Sequence, residues 1–229
     1  MRRIGLLGGM SWESSAVYYR LLNELVRDRC GGLHSADCLL YSVDFAEIAR
    51  QQSAGEWEEA GRTLAEGARV LEAGGAELLL LCTNTMHLVA EQVRSAVSIP
   101  FLNLLDVTAD AVRTAGLSTV GLLATAFTME GEFYRERMAG HGITVIAPGP
   151  DDRGLVHRVI YDELVLGSIR PESRSAYREI IGRLVDEGAE GVVLGCTEIE
   201  LLIGADDSPV PVFPSTRLHA EAAVTAALA

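Results

Sequence analysis

Short apolar runs recur along the chain, separated by longer stretches of mixed character. They are Ile4–Leu7, Leu39–Val43, Leu78–Leu81, Phe101–Leu105, Val120–Leu123, Thr144–Ile146, Val192–Leu194 and Val210–Phe213. Short apolar runs without alternation suit strands buried on both faces. Between them lie helical patterns. One starts near Ser14 and runs to about Arg29; another covers Trp57–Ala73 and ends at Gly74-Gly75, a helix C-cap signal. A third, Glu172–Glu187, ends similarly at Gly188. Strand-helix-strand alternation predicts an α/β fold with parallel sheets.

The chain also repeats itself. Gly75-Ala76-Glu77 precedes Leu78–Leu81 and then Cys82-Thr83-Asn84-Thr85, while Gly188-Ala189-Glu190 precedes Gly191–Leu194 and then Gly195-Cys196-Thr197-Glu198. Ile4-Gly5-Leu6-Leu7 answers Val120-Gly121-Leu122-Leu123, Pro100-Phe101 answers Pro211-Val212, and Ala109–Val112 answers Ala220–Val224 with one residue inserted. A half-length repeat predicts two pseudo-symmetric α/β lobes, residues 1–115 and 116–229, with the C-terminal helix packing back on the first. Ligands of open α/β sheets bind beyond the carboxyl ends of the strands. Related lobes can turn both sets of strand ends toward one cleft.

Composition narrows the function classes. The chain has 229 residues, enough to bury a sizeable core, and 48% of them are hydrophobic. The formal net charge of −13 disfavours nucleic acid and anionic membrane as partners. All 19 basic residues are arginines. Without lysine there is neither a pyridoxal phosphate Schiff base nor a P-loop. Cys30, Cys38, Cys82 and Cys196 are irregularly spaced, include no CxxC pair and suggest neither a disulfide framework nor structural zinc. The five histidines show no metal spacing; His87 and His219 are at most supporting groups, and His34, His141 and His157 read as surface or packing residues. The N-terminal apolar stretch is too short for a signal peptide and no run is long enough to span a bilayer, so the expected compartment is the cytoplasm.

Chemistry concentrates after the strands. Cys196 follows a buried strand directly and precedes a helix start, where the helix dipole favours thiolate. By position alone it reads equally well as a small buried hydrophobe. Aligning the repeats without gaps sets Cys196 opposite Thr83, and Cys82 opposite Gly195. Neighbouring strand residues point to opposite faces. If Cys196 faces a ligand, Thr83 does too and Cys82 points into its lobe. The loop Gly8-Gly9-Met10-Ser11 is not a dinucleotide fingerprint, but its glycines let backbone N–H groups approach a ligand. Asn84, Thr85, Thr125, Thr128, Thr197 and Glu198 complete the polar set at strand ends. Hydroxyls, amides and helix N-termini can hold a carboxylate without a cation. Each threonine alone reads as a plain N-cap.

Gly8-Gly9-Met10-Ser11-Trp12-Glu13-Ser14, Gly31-Gly32-Leu33-His34-Ser35-Ala36, Val43-Asp44-Phe45, Cys82-Thr83-Asn84-Thr85-Met86-His87, Phe133-Tyr134 and Leu194-Gly195-Cys196-Thr197-Glu198-Ile199 together resemble the aspartate/glutamate racemase family. The resemblance covers nearly the whole chain and is closest to the bacterial broad-specificity, or L-aspartate/glutamate-specific, branch. It implies two Rossmann-like lobes, a site between them, a homodimer and an amino-acid substrate. It implies a two-base reaction without cofactor or metal, one group removing the α-proton and the other returning a proton to the opposite face. Most relatives use two cysteines, the first in a Cys-Asn-Thr motif. Here that motif reads Thr83-Asn84-Thr85, so the catalytic pair becomes Thr83 and Cys196. Met10, Gln52, Asn84, Thr85, Thr128, Thr197 and Glu198 are the implied substrate-binding residues, with Thr125 a weaker carry-over.

The chain departs from the family in three places. A lysine of many aspartate-specific relatives is missing, with Leu155 near its position. Their arginine after the second strand has no counterpart near Phe45–Glu47, and their late Phe-Asp-Thr reads Phe213-Pro214-Ser215-Thr216. Preference for an acidic side chain is thereby left open. Two alternatives also stay open: a related enzyme such as a hydantoin racemase or decarboxylase, and an amino-acid-binding module with vestigial catalysis.

Overall fold

A computed structural model describes residues 1–229. The chain forms two compact units, one of Met1–Leu104 with His219–Ala229 and one of Leu105–Leu218.

The first unit contains β1 (Ile4–Gly8), α1 (Trp12–Cys30), β2 (Cys38–Ser42), α2 (Phe45–Ala54), α3 (Trp57–Ala73), β3 (Leu78–Leu81), α4 (Ala90–Ser95) and β4 (Phe101–Leu102). Its sheet has the order β2-β1-β3-β4 and every pairing is parallel. Side-chain alternation divides its core into two faces. Ile4, Leu6, Leu78, Leu80 and Cys82 pack with Tyr18, Leu22 and Val26 of α1 and with Ala220, Ala223 and Val224. Leu7, Leu79 and Leu81 pack with Ile48, Leu64, Ala68 and Val93 from α2, α3 and α4. A sheet covered on both faces explains the unalternating apolar runs.

The second unit starts at Leu105, one residue into α5 (Leu104–Thr114), and continues through β5 (Thr119–Leu123), α6 (Ala126–Glu130), α7 (Glu132–Gly140) and β6 (Thr144–Ile146). Then come α8 (Pro150–Asp162), α9 (Pro171–Asp186), β7 (Gly191–Leu194), α10 (Ile199–Leu202) and β8 (Val212–Pro214), and last α11 (Ser215–Leu228), which belongs to the first unit from His219 on. Its sheet order β6-β5-β7-β8, again all parallel, repeats the first.

The unit boundary departs from the expected break after residue 115. The apolar run Phe101–Leu105 yields only a two-residue strand, and α5 begins at Leu104. That helix is anchored in the second unit, where Asp106 accepts bonds from Arg137 Nε and Nη2 and pairs with His141 Nε2. The apolar-run argument also fails for β2, whose residues are half-buried or exposed, including Leu40 at 47%. It is an edge strand with one lateral neighbour, whereas β1, β3 and β7 are buried throughout.

The repeat reaches into the hydrogen bonds. Glu77 N–H donates to Arg3 O while its carboxylate accepts Arg3 N–H; Glu190 does the same with Thr119. Gly5 and Gly121 sit where a Cβ would fall 2.9 Å from Ala76 Cβ and from Leu184 Cδ1, respectively, so the covering elements require glycine there. No helix is long and apolar enough to cross a membrane.

Candidate active site

Strand register fixes which residues correspond at the two sheet ends. Leu7 pairs with Leu81 in one sheet and Leu123 with Leu194 in the other. Cys82 N–H then donates to Leu7 O at 2.9 Å, and Gly195 N–H to Leu123 O at 2.8 Å. Cys82 and Gly195 are equivalent, and the next residues, Thr83 and Cys196, are equivalent in turn. Cys82 is fully buried in the core and its thiol is pushed far up by burial. In the second unit a Cβ on Gly195 would meet Ala124 Cβ at 3.0 Å, so this position stays small. Thr83 and Cys196 are both half-buried.

In the first unit, Thr83 is held by its backbone. Its N–H donates to Leu81 O at 2.9 Å and its carbonyl lies 2.7 Å from His87 Nδ1. Asn84 and Thr85 follow at the start of a 3-10 turn over Thr85–Val89 and are buried. Buried Gln52 donates from Nε2 to Met86 Sδ at 3.0 Å, and Met10 packs in the same apolar cluster as Met86. Gln52, Met10 and Met86 therefore meet on the α2–α4 face.

The loop after β1 is braced by its own hydrogen bonds. Gly9 N–H is taken by Ser15 Oγ at 2.7 Å, and Ser15 Oγ donates to Ser11 O. Gly9 has φ of +93°, and a Cβ there would lie 2.4 Å from Val43 O. These glycines let the loop pass close to the end of β2 and the start of α1.

In the second unit, Cys196 Sγ donates to Glu198 Oε2 at 2.9 Å. Burial foremost, then the Glu198 charge and this hydrogen bond, push the thiol well above its ordinary value. Backbone hydrogen bonds from Glu198 and Ile199 pull the other way, so the thiolate-favouring effect expected of the helix start is present but outweighed. The following helix, α10, has only four residues, and the nearest full charge is a carboxylate. Cys196 rests as a thiol with a proton acceptor in reach.

The threonines do not act as plain caps. Thr125 precedes α6 without a side-chain cap bond, and its hydroxyl lies 3.2 Å from that of buried Thr128. Thr197 Oγ1 lies 3.0 Å from Thr216 Oγ1, while Ser215 Oγ donates to Leu194 O at 2.7 Å. The Pro214-Ser215-Thr216 segment is thus tied to the Cys196 end of β7. Half-buried Glu200 accepts Thr216 N–H at 3.0 Å, and desolvation raises its carboxyl to about 7.

Three residues here escaped sequence reasoning. Glu200 is one. His157 and Tyr161 are the others, one helical turn apart on α8, with their rings tilted at 46° and centroids 4.6 Å apart. His157 Nδ1 accepts Ala126 N–H at 3.2 Å. The Tyr161 phenol is raised to about 12, by burial first and then by Cys196 and Glu198, which places it within their electrostatic reach. A His-Tyr pair spaced for one helix face was the available signal. Leu155, two residues before His157, instead lines a surface groove of about 390 Å³ with Val159, Asp162 and Glu172. No group of three or more His, Cys, Asp or Glu side chains is arranged to hold a metal.

The sequence profile of the Asp/Glu/Hydantoin racemase family matches residues 7–223. A broad specificity amino-acid racemase from Bacillus subtilis is 22% identical over 99% of this chain and 98% of its own. Among solved structures, a candidate Asp/Glu racemase from Yersinia pestis is 48% identical with a TM-score of 0.94, and an aspartate racemase homologue from Pyrococcus horikoshii is 32% identical with a TM-score of 0.89. Each covers 100% of both chains.

Proposed function

The chain belongs to the Asp/Glu/hydantoin racemase family, and from that premise we propose that it interconverts L- and D-amino acids by two-base α-proton transfer through Cys196 and Thr83. The observation that carries this reading is the Cys196–Glu198 hydrogen bond at the end of a central strand. A thiol of high pKa is rarely ionised, but Glu198 can take its proton, and the thiolate then formed in a desolvated site is a strong base.

An amino-acid α-proton is weakly acidic, so the carbanion needs stabilisation as it forms. Backbone N–H groups and hydroxyls at the Thr83-Asn84-Thr85 and Cys196-Thr197-Glu198 turns are the groups we assign to the substrate carboxylate, with Met10, Gln52, Thr125 and Thr128 shaping the rest of the pocket. Thr83 is a poor base and a better proton donor, so the two directions differ in rate. The enantiomer presenting its α-proton to Cys196 is deprotonated faster, although the equilibrium constant between free enantiomers stays at unity.

Aspartate and glutamate are the first substrates to try, with broader specificity open because the lysine and arginine of acid-specific relatives are missing. The same reading makes the protein a cytoplasmic homodimer needing no cofactor. The test is incubation with a panel of L- and D-amino acids in deuterated water. We expect α-deuterium in at least one amino acid, with inversion, and loss of both in Cys196→Ser. Binding without exchange in any substrate would replace the reading with that of a binding module.

A further inference from the structure

Thr83 is the middle residue of the three, Cys82–Asn84, between β3 and the 3-10 turn, outside both regular elements. Its carbonyl is held by a side chain, that of His87, at 2.7 Å. The opposite ring nitrogen, Nε2, receives Leu104 N–H at 3.1 Å. A backbone N–H can only donate, so Nε2 must carry the lone pair and Nδ1 the proton. Both polar atoms of the ring are then satisfied in one neutral tautomer. The ring is 6% exposed and stacks on Phe101 with centroids 5.9 Å apart.

A second histidine backs the first. His219 is wholly buried, its ring centroid 6.3 Å from that of His87. Its Nε2 faces Leu102 O at 2.9 Å and must be protonated, leaving Nδ1 to accept the Tyr18 hydroxyl at 2.9 Å. The two rings hold opposite tautomers, each dictated by a backbone group near the junction of β4 and α5.

The other unit shows which part of this arrangement is particular to Thr83. The residue after β7 that corresponds to His87 is Glu200, four positions beyond Cys196 as His87 is four beyond Thr83. Glu200 also accepts the N–H of a residue starting a helix, Thr216 of α11. That task is common to both units. The return bond to the catalytic position is not, since Cys196 O accepts Ile199 N–H instead.

We propose that His87, as its Nδ1–H tautomer, is a positioning residue that fixes the Thr83 carbonyl and thereby aims the Thr83 side chain for proton return to the substrate. This rests on the two-base reading above. Fixing the carbonyl sets the Thr83 backbone torsion, hence where its Oγ1 points, and small misplacements of a catalytic group cost about 10²-fold in rate.

Two measurements test it. In the wild-type protein, long-range ¹H–¹⁵N spectra of the histidine rings should show His87 protonated on Nδ1; an Nε2–H tautomer overturns the proposal whatever any variant does. In deuterated water, starting from the faster enantiomer, exchange with retention reports Cys196 alone, whereas inversion needs Thr83. His87→Gln, which cannot donate from the Nδ1 position, should lower the ratio of inversion to exchange about tenfold or more. His87→Asn, whose amide replaces Nδ1–H, should restore it to within about threefold of wild type. Equal loss of both rates in His87→Gln, or an unchanged ratio, overturns the proposal. Thr83→Ala in the same assay separates the two layers. If it leaves the ratio unchanged, the two-base reading fails and takes the proposal with it. If it collapses the ratio while His87→Gln does not, only the role of His87 fails.

Discussion

The ends of β3 and β7 are built on one plan and used differently. Both follow a buried central strand, and in both the next residue donates its N–H to the neighbouring strand, Cys82 to Leu7 O and Gly195 to Leu123 O. At the first end the small buried side chain is Cys82 and the polar residue beyond it is Thr83; at the second they are Gly195 and Cys196. The cysteine of the first unit is therefore a core residue, and the position equivalent to Cys196 carries a hydroxyl. The second end adds a carboxylate at 2.9 Å from the thiol. The first has a neutral imidazole on the backbone instead. In the proposed reaction one end accepts a proton and the other holds a weak donor in place, so duplicated frames need not carry duplicated chemistry.

The largest expected effect falls on Cys196. Cys196→Ala should reduce both exchange and inversion by about 10³-fold or more, because it removes the only strong base of the pair. Retained exchange would place the base elsewhere. Thr83→Ala should lower inversion by about 10²-fold with exchange from the faster enantiomer largely kept, while Thr83→Cys should raise turnover of the slower enantiomer about tenfold. Measuring both enantiomers in each variant distinguishes a lopsided pair from a symmetric one.

Glu198→Gln splits two readouts in opposite directions. Losing the acceptor should slow racemisation about tenfold. Losing its charge lowers the thiol pKa, so Cys196 should be alkylated faster by iodoacetamide. Slower alkylation would show that the carboxylate favours the thiolate.

The smallest effects concern stability against pH, and they oppose one another. Glu200 is raised in the folded state from its ordinary 4.5 to about 7. Its contribution is full at acid pH and is lost as pH rises from about 4.5 through about 7. Glu200→Gln should raise Tm at pH 8 by a few degrees and change little at pH 5. His219 is lowered from 6.5 to about 3, by burial first and then by His87. Its contribution is present above about 6.5 and is lost as pH falls toward 3, so His219→Gln should flatten the acid limb in a thermal melt series.

Much of this was legible in the sequence. Leu78–Leu81 and Trp57–Ala73 appear as a strand and a helix with the bounds read from periodicity. The ungapped repeat set Thr83 opposite Cys196, and the strand register pairs them in the same way. Side-chain partners were less accessible. Whether the helix-start N–H groups or a carboxylate wins at Cys196 depends on how deeply the thiol is buried and where Glu198 turns, and neither follows from a Cys-Thr-Glu string. The role of His87 depends on Leu104, seventeen residues away, presenting its N–H. His157 and Tyr161 draw meaning from β7, which lies far along the chain and is brought near only by the parallel sheet.

The central claim is that Cys196 and Thr83 are unequal partners. The initial rate of α-deuterium incorporation from pure L- and pure D-substrate, measured separately before inversion accumulates, tests it directly. The account predicts rates differing by about tenfold or more, the faster abolished by Cys196→Ala. Equal initial rates from the two enantiomers would contradict it.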